Sequence, residues 1–294
     1  MTGQGEHCLA PAKINLFLHV GEKRDDGYHN LSTLIVFADA ADRLSLTPND
    51  HLSLRIIGPF AASLSSELDN IVLKAARALK LWAQQRDHQA PSVELILEKN
   101  LPVASGIGGG SSDAAATLHL LAQHWALPIH CDDLQTIGLG LGADVPVCLR
   151  SAPTLASGIG EVLAPIENLP EMFFVLVNPR VAVPTSVVFS AVTVRTGAFA
   201  PALPAKRNIR EFAAILDATI NDLAAPAKSF APVIMRVEQA LVATGGCLLA
   251  RMSGSGATCF GLYASYEAAS EAAQNITASH PQWWVTPARQ FTLI

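Results

Sequence analysis

No stretch of the 294 residues reaches about 18 consecutive apolar residues, the length a membrane-spanning helix needs, so none is expected. Cysteine is scarce and shows no pairing pattern. Cys8, Cys131, Cys148, Cys247 and Cys259 are odd in number, widely spread and form no C-x-x-C. That speaks against a disulfide framework and for reduced, half-buried thiols, with metal ligation as the minor alternative. Charge is also sparse, at 15% of the chain with a net value of −5, and it forms no basic stripe. Nucleic acid is therefore excluded as the main partner. The opening "MTGQGEHCLAPAK" lacks the basic and apolar regions of a secretory signal, so a cytoplasmic protein is expected. Half of the residues are hydrophobic, enough for a sizeable core in one large domain or two ordinary ones. No repeat of fixed period appears.

Hydrophobic spacing sorts the chain into elements. "KINLFLHV" (13–20) alternates and reads as a strand, as do "HLSLRII" (51–57) and "SVELILE" (92–98). "NIVLKAARALKLWAQQ" (70–85) has helical spacing and follows Asp69, an expected N-cap. "SSDAAATLHLLAQHWAL" reads as a helix, and "DDLQTIGLGLG" as a shorter one. The composition loosens in "RSAPTLASGIGE" (150–161), which sets the expected domains at 1–158 and 159–294. Beyond it come a strand "MFFVLVNP", a proline-rich connection "GAFAPALPAKR" and two helical stretches. A strand "ATCFGLYAS", a helix "YEAASEAAQNIT" and an extended "WWVTPARQFT" complete the chain. Strands and helices mix without a strict βαβ rhythm, so the expected class is α+β in two parts.

"LPVASGIGGGSSDAAATL" (101–118) fixes a glycine-rich loop directly to a helix start. Such a start leaves backbone N–H groups unpaired and carries partial positive charge. Glycines let the preceding backbone curl so that further N–H groups converge on one anion, and phosphate is the natural ligand. Ser111 and Ser112 could cap the helix, touch a phosphate oxygen or help hold Mg²⁺. A flexible loop with capping serines is the plainer alternative. Other phosphate loops fail to fit. No lysine follows the glycines as a P-loop requires, Ser111 stands where G-x-G-x-x-G needs its last glycine, and no H-R-D or D-F-G is present.

What remains is P-x-x-x-G-[LI]-G-G-G-S-S-D-A-A, matched from Pro102 to Ala115. This resembles the phosphate-binding motif of the GHMP family of small-molecule kinases. "APAKINLFLHVGEKRDDGYHNLSTL" (10–34) resembles the signature of one branch, the ATP-dependent kinases of 4-diphosphocytidyl-2-C-methyl-D-erythritol in the non-mevalonate route to isoprenoid precursors. "DNIVLKAA", "LGADVP", "VPTSVVF", "NDL" and "SGSGATCFGL" follow in that branch's order. The resemblance implies an N-terminal domain like ribosomal protein S5 domain 2 and a ferredoxin-like C-terminal domain. It also implies transfer of the γ-phosphoryl of ATP to the substrate's 2-hydroxyl, with Mg²⁺ accompanying ATP and no metal ligand named in the protein. A mevalonate or homoserine kinase, and a non-catalytic nucleotide sensor on the same fold, are the alternatives. The expected partners are small molecules, with the chain a monomer or homodimer.

Residue by residue, the resemblance makes Asp144 the carboxylate that takes the hydroxyl proton and Lys13 the cation beside the reacting oxygens. A turn or cap aspartate and a solvated lysine are the bland alternatives. Tyr28, His29 and Phe189 would clamp the cytosine, while Asn15 and Thr185 would hydrogen-bond the polar body of the substrate. Asn70 and Lys99 would face the adenosine side, or else serve as a helix cap and a solvated charge. Pro102, Gly106, Gly108, Gly109, Gly110, Ser111, Ser112 and Thr258 would surround the phosphates. "PVASG" departs from the family at the start of the loop, leaving Ser105 without a defined role, and Trp283 and Trp284 match nothing in it.

Overall fold

The computed structural model describes residues 6–25, 27–64, 69–197, 199–202 and 208–291. Its contacts gather into two compact units that interleave along the sequence. One holds the chain up to Ala12, Ala41–Val103 and Gly108–Arg150, and the other holds Lys13–Ala40, Ala104–Ile107 and Ser151 onward. Two long paired strands, β1 (His7–Lys23) and β2 (His29–Pro48), pass through both.

In the first unit the later part of β2 pairs antiparallel with β4 (Val93–Glu98), Arg43 opposite Glu98. Strand β3 (Ser53–Ile57) lies parallel to β4 on its other side. Four helices accompany this sheet: α1 (Ile71–Gln84), α2 (Gly109–His124), α3 (Cys131–Leu141) and α4 (Val145–Arg150). Helix α2 packs on α1 and α4, and alanines 114, 115 and 116 let neighbours approach closely.

In the second unit the early part of β2 pairs with β5 (Thr154–Gly158), which pairs with β6 (Val162–Pro165). A separate antiparallel sheet runs β10–β7–β9–β8, made of β7 (Phe173–Asn178), β8 (Leu249–Met252), β9 (Cys259–Tyr263) and β10 (Trp284–Arg289). Helices α5 (Thr185–Ser190), α6 (Ile209–Asp217), α7 (Ala224–Phe230), α8 (Val233–Val242) and α9 (Tyr266–Ser279) belong to the same unit. Helix α9 buries Ala269, Ala272, Ala273 and Ile276, the i, i+3, i+4, i+7 stripe of an amphipathic helix. With Ile234, Val237 and Leu241 of α8 they cover Val175, Val177 and Cys259 of the sheet. Each such aliphatic side chain contributes about 1.5–3 kcal/mol on burial.

Several expectations change. The cap of α1 is Asn70, whose side chain accepts from Val72 N at 3.0 Å, while Asp69 is exposed and pairs with Lys74. Helix α2 begins at Gly109, so Ser111 and Ser112 lie inside its first turn; the N-cap is Gly108 with no side-chain cap. The loose segment 150–161 contains β5, and α6, α7 and α8 stand where two helical stretches were expected. Within "GAFAPALPAKR", residues 198 and 203–207 lie outside the described set. Trp283 is buried against His280, with ring centroids 3.8 Å apart. No helix among the described residues is long and apolar enough to cross a membrane.

Candidate functional site

In the first unit, Gly108 takes a left-handed conformation (φ 62°) and turns the chain into α2. The N–H groups of Gly109 to Ser112 therefore open the helix, with the exception that Ser112 N donates to Gly108 O at 2.9 Å. Ser112 is buried, its hydroxyl donating to Pro11 O at 2.7 Å, which directs it away from a cap role and onto the strand that leads to Lys13.

Behind this helix start lies a triad of charges that no spacing rule revealed. Lys99, only 2% exposed, donates from Nζ to Asp42 Oδ2 and to Asp113 Oδ2, both at 2.6 Å. Lys99 is thus neither solvated nor presenting its ammonium outward. Burial pushes it toward neutrality, but Asp113 and Asp42 outweigh that and hold its pKa above the ordinary lysine value. Asp113 is pushed up to about 7, chiefly by burial, with Lys99 opposing and Asp42 adding to the rise. Among the described residues Asp113 Oδ1 is buried without a hydrogen-bond partner.

Between about pH 4 and 7 the folded protein holds a proton on this pair that the unfolded chain has released, so stability falls as pH rises through that window. Asp113→Asn has nothing to titrate there. Relative to wild type it should gain stability, by a few kcal/mol at most, on going from pH 5 to pH 8. Urea denaturation at the two pH values measures this; an equal difference at both would refute it.

Asp144 lies just before α4, exposed, its carbonyl accepting from Cys148 N at 3.2 Å. Asn70 sits at the head of α1 as its cap. Pro102 is buried, immediately before the turn that leads into the loop.

In the second unit, Lys13 is buried near the middle of β1 and donates from Nζ to Asn15 Oδ1 at 3.2 Å. Asn15 is fixed on all sides, since its N–H donates to Ser253 Oγ at 3.0 Å and its Nδ2 donates to Thr33 Oγ1 at 2.8 Å. Ser253 Oγ in turn donates to Gly106 O at 3.1 Å, and Lys13 N donates to Ile107 O at 2.9 Å. The turn between β8 and β9 thereby grips residues 105 and 106 of the loop, while β1 holds Ile107. Thr258 takes part through its backbone, its N–H donating to Ser105 O at 3.0 Å, while its wholly buried side chain accepts from Asn178 at 2.8 Å.

Gly106 has φ 74°, and a Cβ there would stand 2.5 Å from Ser253 O and 2.7 Å from Gly256 N. At Gly110, by contrast, a Cβ would meet only Ile71 Cγ2 at 3.8 Å. Gly106→Ala should therefore destabilise by at least ~2 kcal/mol, whereas Gly110→Ala should gain about 0.5–1 kcal/mol of helix stability. Parallel thermal denaturation tests the contrast, and equal midpoints would refute it.

The rings expected to hold a base are only partly assembled. His29 and Phe189 lie stacked, centroids 6.3 Å apart with 26° between planes, while Tyr28 is 60% exposed on the β1–β2 turn. Thr185 opens α5 and shares a 2.8 Å hydrogen bond with Ser255 Oγ. Ser253, Ser255, Asn178 and Asn221 join these residues through hydrogen bonds that no local pattern announces. Asn221, in "NDL", donates to Met252 O and Gly254 O, both at 2.8 Å, and so holds the β8–β9 turn from behind. Arg251 is another buried brace, donating to Leu16 O, Leu216 O and Thr219 O. Burial lowers it to about 10, with Asp217 and Glu238 opposing.

Residues 70–152 match the family described as GHMP kinases N terminal domain, and 199–282 match GHMP kinases C terminal. A 4-diphosphocytidyl-2-C-methyl-D-erythritol kinase of Cereibacter sphaeroides is 52% identical over 96% of this chain and 98% of its own. A crystal structure of 4-(cytidine 5'-diphospho)-2C-methyl-D-erythritol kinase superposes with TM-score 0.77 at 34% identity, covering 98% of this chain and all of that one. A homoserine kinase from Cytophaga hutchinsonii shares the fold at TM-score 0.69 and 16% identity, over 99% of this chain and 96% of its own.

Proposed function

The chain belongs to the 4-diphosphocytidyl-2-C-methyl-D-erythritol kinases of the GHMP kinase family, and from that premise we propose how its residues divide the work. The reaction is transfer of the γ-phosphoryl group of ATP to the 2-hydroxyl of 4-diphosphocytidyl-2-C-methyl-D-erythritol, a step toward isoprenoid precursors. The observation that carries this reading is the 52% identity extending over nearly the whole of both chains. The left-handed Gly108 feeding α2 supplies the matching geometry, a helix start open to phosphate oxygens.

The substrate hydroxyl oxygen attacks the γ-phosphorus as the bond to the bridging oxygen breaks and ADP leaves. Asp144 takes the hydroxyl proton, and Lys13 offsets the negative charge on the reacting oxygens. Asn15 is suited to orienting the substrate because its three hydrogen bonds leave it one position. Thr185 opens α5 beside Ser255 and takes part in the same recognition. Gly106, Gly108, Gly109, Gly110, Ser111 and Ser112 surround the phosphates, Pro102 and Thr258 shape that loop, and Asn70 with the strand end at Lys99 face the adenosine side. Mg²⁺ accompanying ATP would offset phosphate charge, and no residue of the chain is assigned to hold it.

We place the nucleotide part in 1–158 and the C-terminal part in 159–294, a division with one family match on each side. The cytoplasm, where ATP is supplied, is the proposed setting, and the reaction needs no partner beyond its two substrates, whether the chain is a monomer or a homodimer.

An ADP-release assay comparing 4-diphosphocytidyl-2-C-methyl-D-erythritol with mevalonate and homoserine tests the reading. ADP production with the cytidine compound alone is expected. Preference for mevalonate or homoserine would overturn the substrate, and ATP binding without turnover of any of them would indicate a nucleotide sensor.

His29 and Phe189, already stacked, form the cytosine clamp with Tyr28. His29→Ala should raise KM for the cytidine substrate by roughly tenfold or more and lower kcat less, because a stacking contact is made equally in ground and transition states. An unchanged KM removes His29 from the cytosine site.

A further inference from the structure

The Asp42–Lys99–Asp113 triad has no evident value as a source of stability. Three charges withdrawn from water are expensive, and apolar residues of similar volume would commonly serve the core as well or better. What the triad does have is position. Lys99 is immobilised along its backbone, its N–H donating to Ile57 O at 2.8 Å and its carbonyl accepting from Phe60 N at 3.2 Å. Asp42 Oδ1 accepts from Asn100 N and Leu101 N at 2.6 and 2.8 Å, holding the residues that lead into the glycine loop. Asp42 Oδ2 and Asp113 Oδ2 then share one ammonium. A Cβ on Gly109 would stand 3.2 Å from Lys99 Nζ, so the ammonium lies directly beneath the first residue of α2.

We propose that Lys99, Asp113 and Asp42 are positioning residues for nucleotide binding: the buried ammonium ties the start of α2 to β2 and the end of β4, and so aims the N–H groups of Gly109, Gly110 and Ser111 at the phosphates. The proposal rests on the reading that ATP phosphates lie at this helix start. It gives Lys99 a role exerted through the loop, with its ammonium never touching the nucleotide. Glycine at 109 follows from the same arrangement, because a side chain there would press on the ammonium that sets the loop.

ATP binding by calorimetry, together with KM for each substrate, tests the proposal in three variants. Asp113→Ala removes the tie while leaving the Lys99–Asp42 pair balanced. It should weaken ATP binding roughly tenfold and change KM for the cytidine substrate less than about twofold. Asp113→Asn keeps an oxygen for the ammonium and should recover most of the lost affinity. The triple variant Lys99→Met, Asp42→Asn, Asp113→Leu removes all three charges together. It should keep a cooperative fold and still lose ATP affinity by a similar factor. Wild-type ATP affinity in folded Asp113→Ala or in the triple variant overturns the proposal. So does an equal rise in both KM values, or failure of Asp113→Asn to recover affinity. A wild-type protein that binds no ATP overturns the reading of the helix start as well, whereas one that binds ATP but phosphorylates nothing leaves the binding comparison decisive.

Discussion

Asp144→Asn is expected to lower kcat by ~10²–10⁴ while KM for ATP and for the cytidine substrate moves little. Asparagine keeps the size and much of the hydrogen bonding of aspartate but cannot accept the hydroxyl proton. Asp144 is exposed immediately before α4, and its structural contribution through the backbone, accepting from Cys148 N, survives the substitution. The thermal midpoint measured beside the kinetics separates lost chemistry from lost fold. If both residues act on the reacting oxygen as proposed, Lys13→Met should be costly alone and less so in the Asp144→Asn background, because coupled groups do not contribute additively. A drop in kcat below ~10-fold would make Asp144 an orienting residue, since a loose phosphoryl-transfer transition state depends heavily on positioning. Wild-type values for every kinetic constant would remove it from the mechanism.

Lys99→Met should have the largest effect on stability, a loss of about 3–5 kcal/mol at pH 8. Methionine fills much of the volume but leaves Asp42 and Asp113 buried side by side with no cation between them. Asp42 retains its two backbone donors, Asn100 N and Leu101 N, whereas Asp113 Oδ1 has no partner among the described residues, so Asp113 bears more of the penalty. A carboxylate robbed of its counter-charge protonates more readily, and a neutral carboxyl is far cheaper to bury. The loss should accordingly shrink at pH 5. Urea denaturation at both pH values measures it; a variant within 1 kcal/mol of wild type at pH 8 would show that the ammonium holds little in place. Native proteins are stable by only about 5–15 kcal/mol, so a loss of the expected size would be visible as poor recovery of folded protein.

Legibility in the sequence followed the strength of the local signal. Strands β4, β7 and β9 and helices α1 and α9 were readable because their apolar periods run unbroken between clear stops. Strand β2 was not, since its second half, "DAADRLSLTP", mixes charge, alanine and proline, and its pairing with β4 and β5 supplies what propensity does not. Strand β5 was hidden for the same reason in a stretch of serine, proline and glycine. The glycine loop was legible as a turn into a helix, but the helix start lies two residues earlier than the pattern predicts because glycine is a poor helix former. Burial over Lys99 and the left-handed Gly108 decide that Gly109 and Gly110 are helical. Lys99 and Asp42 are 57 residues apart, and nothing in a linear pattern announces an ion pair across that distance. Ser253 and Asn221 belong to quoted motifs, yet their work is to hold backbone, which a motif read for chemistry does not reveal.

The grip of the β8–β9 turn on the loop bears on how this chain matures. Gly106 O waits for Ser253, which is 147 residues later, and Ser105 O waits for Thr258 N. A chain leaving the ribosome therefore carries a finished glycine sequence long before it carries the β8–β9 turn that holds residues 105 and 106 in place. Contacts of such long range also slow folding. A fragment ending at residue 158 would retain every glycine of the motif and lack the clasp that gives them their shape. A graft that exchanged residues 159–294 for a relative's would have to bring a β8–β9 turn that fits the host's loop.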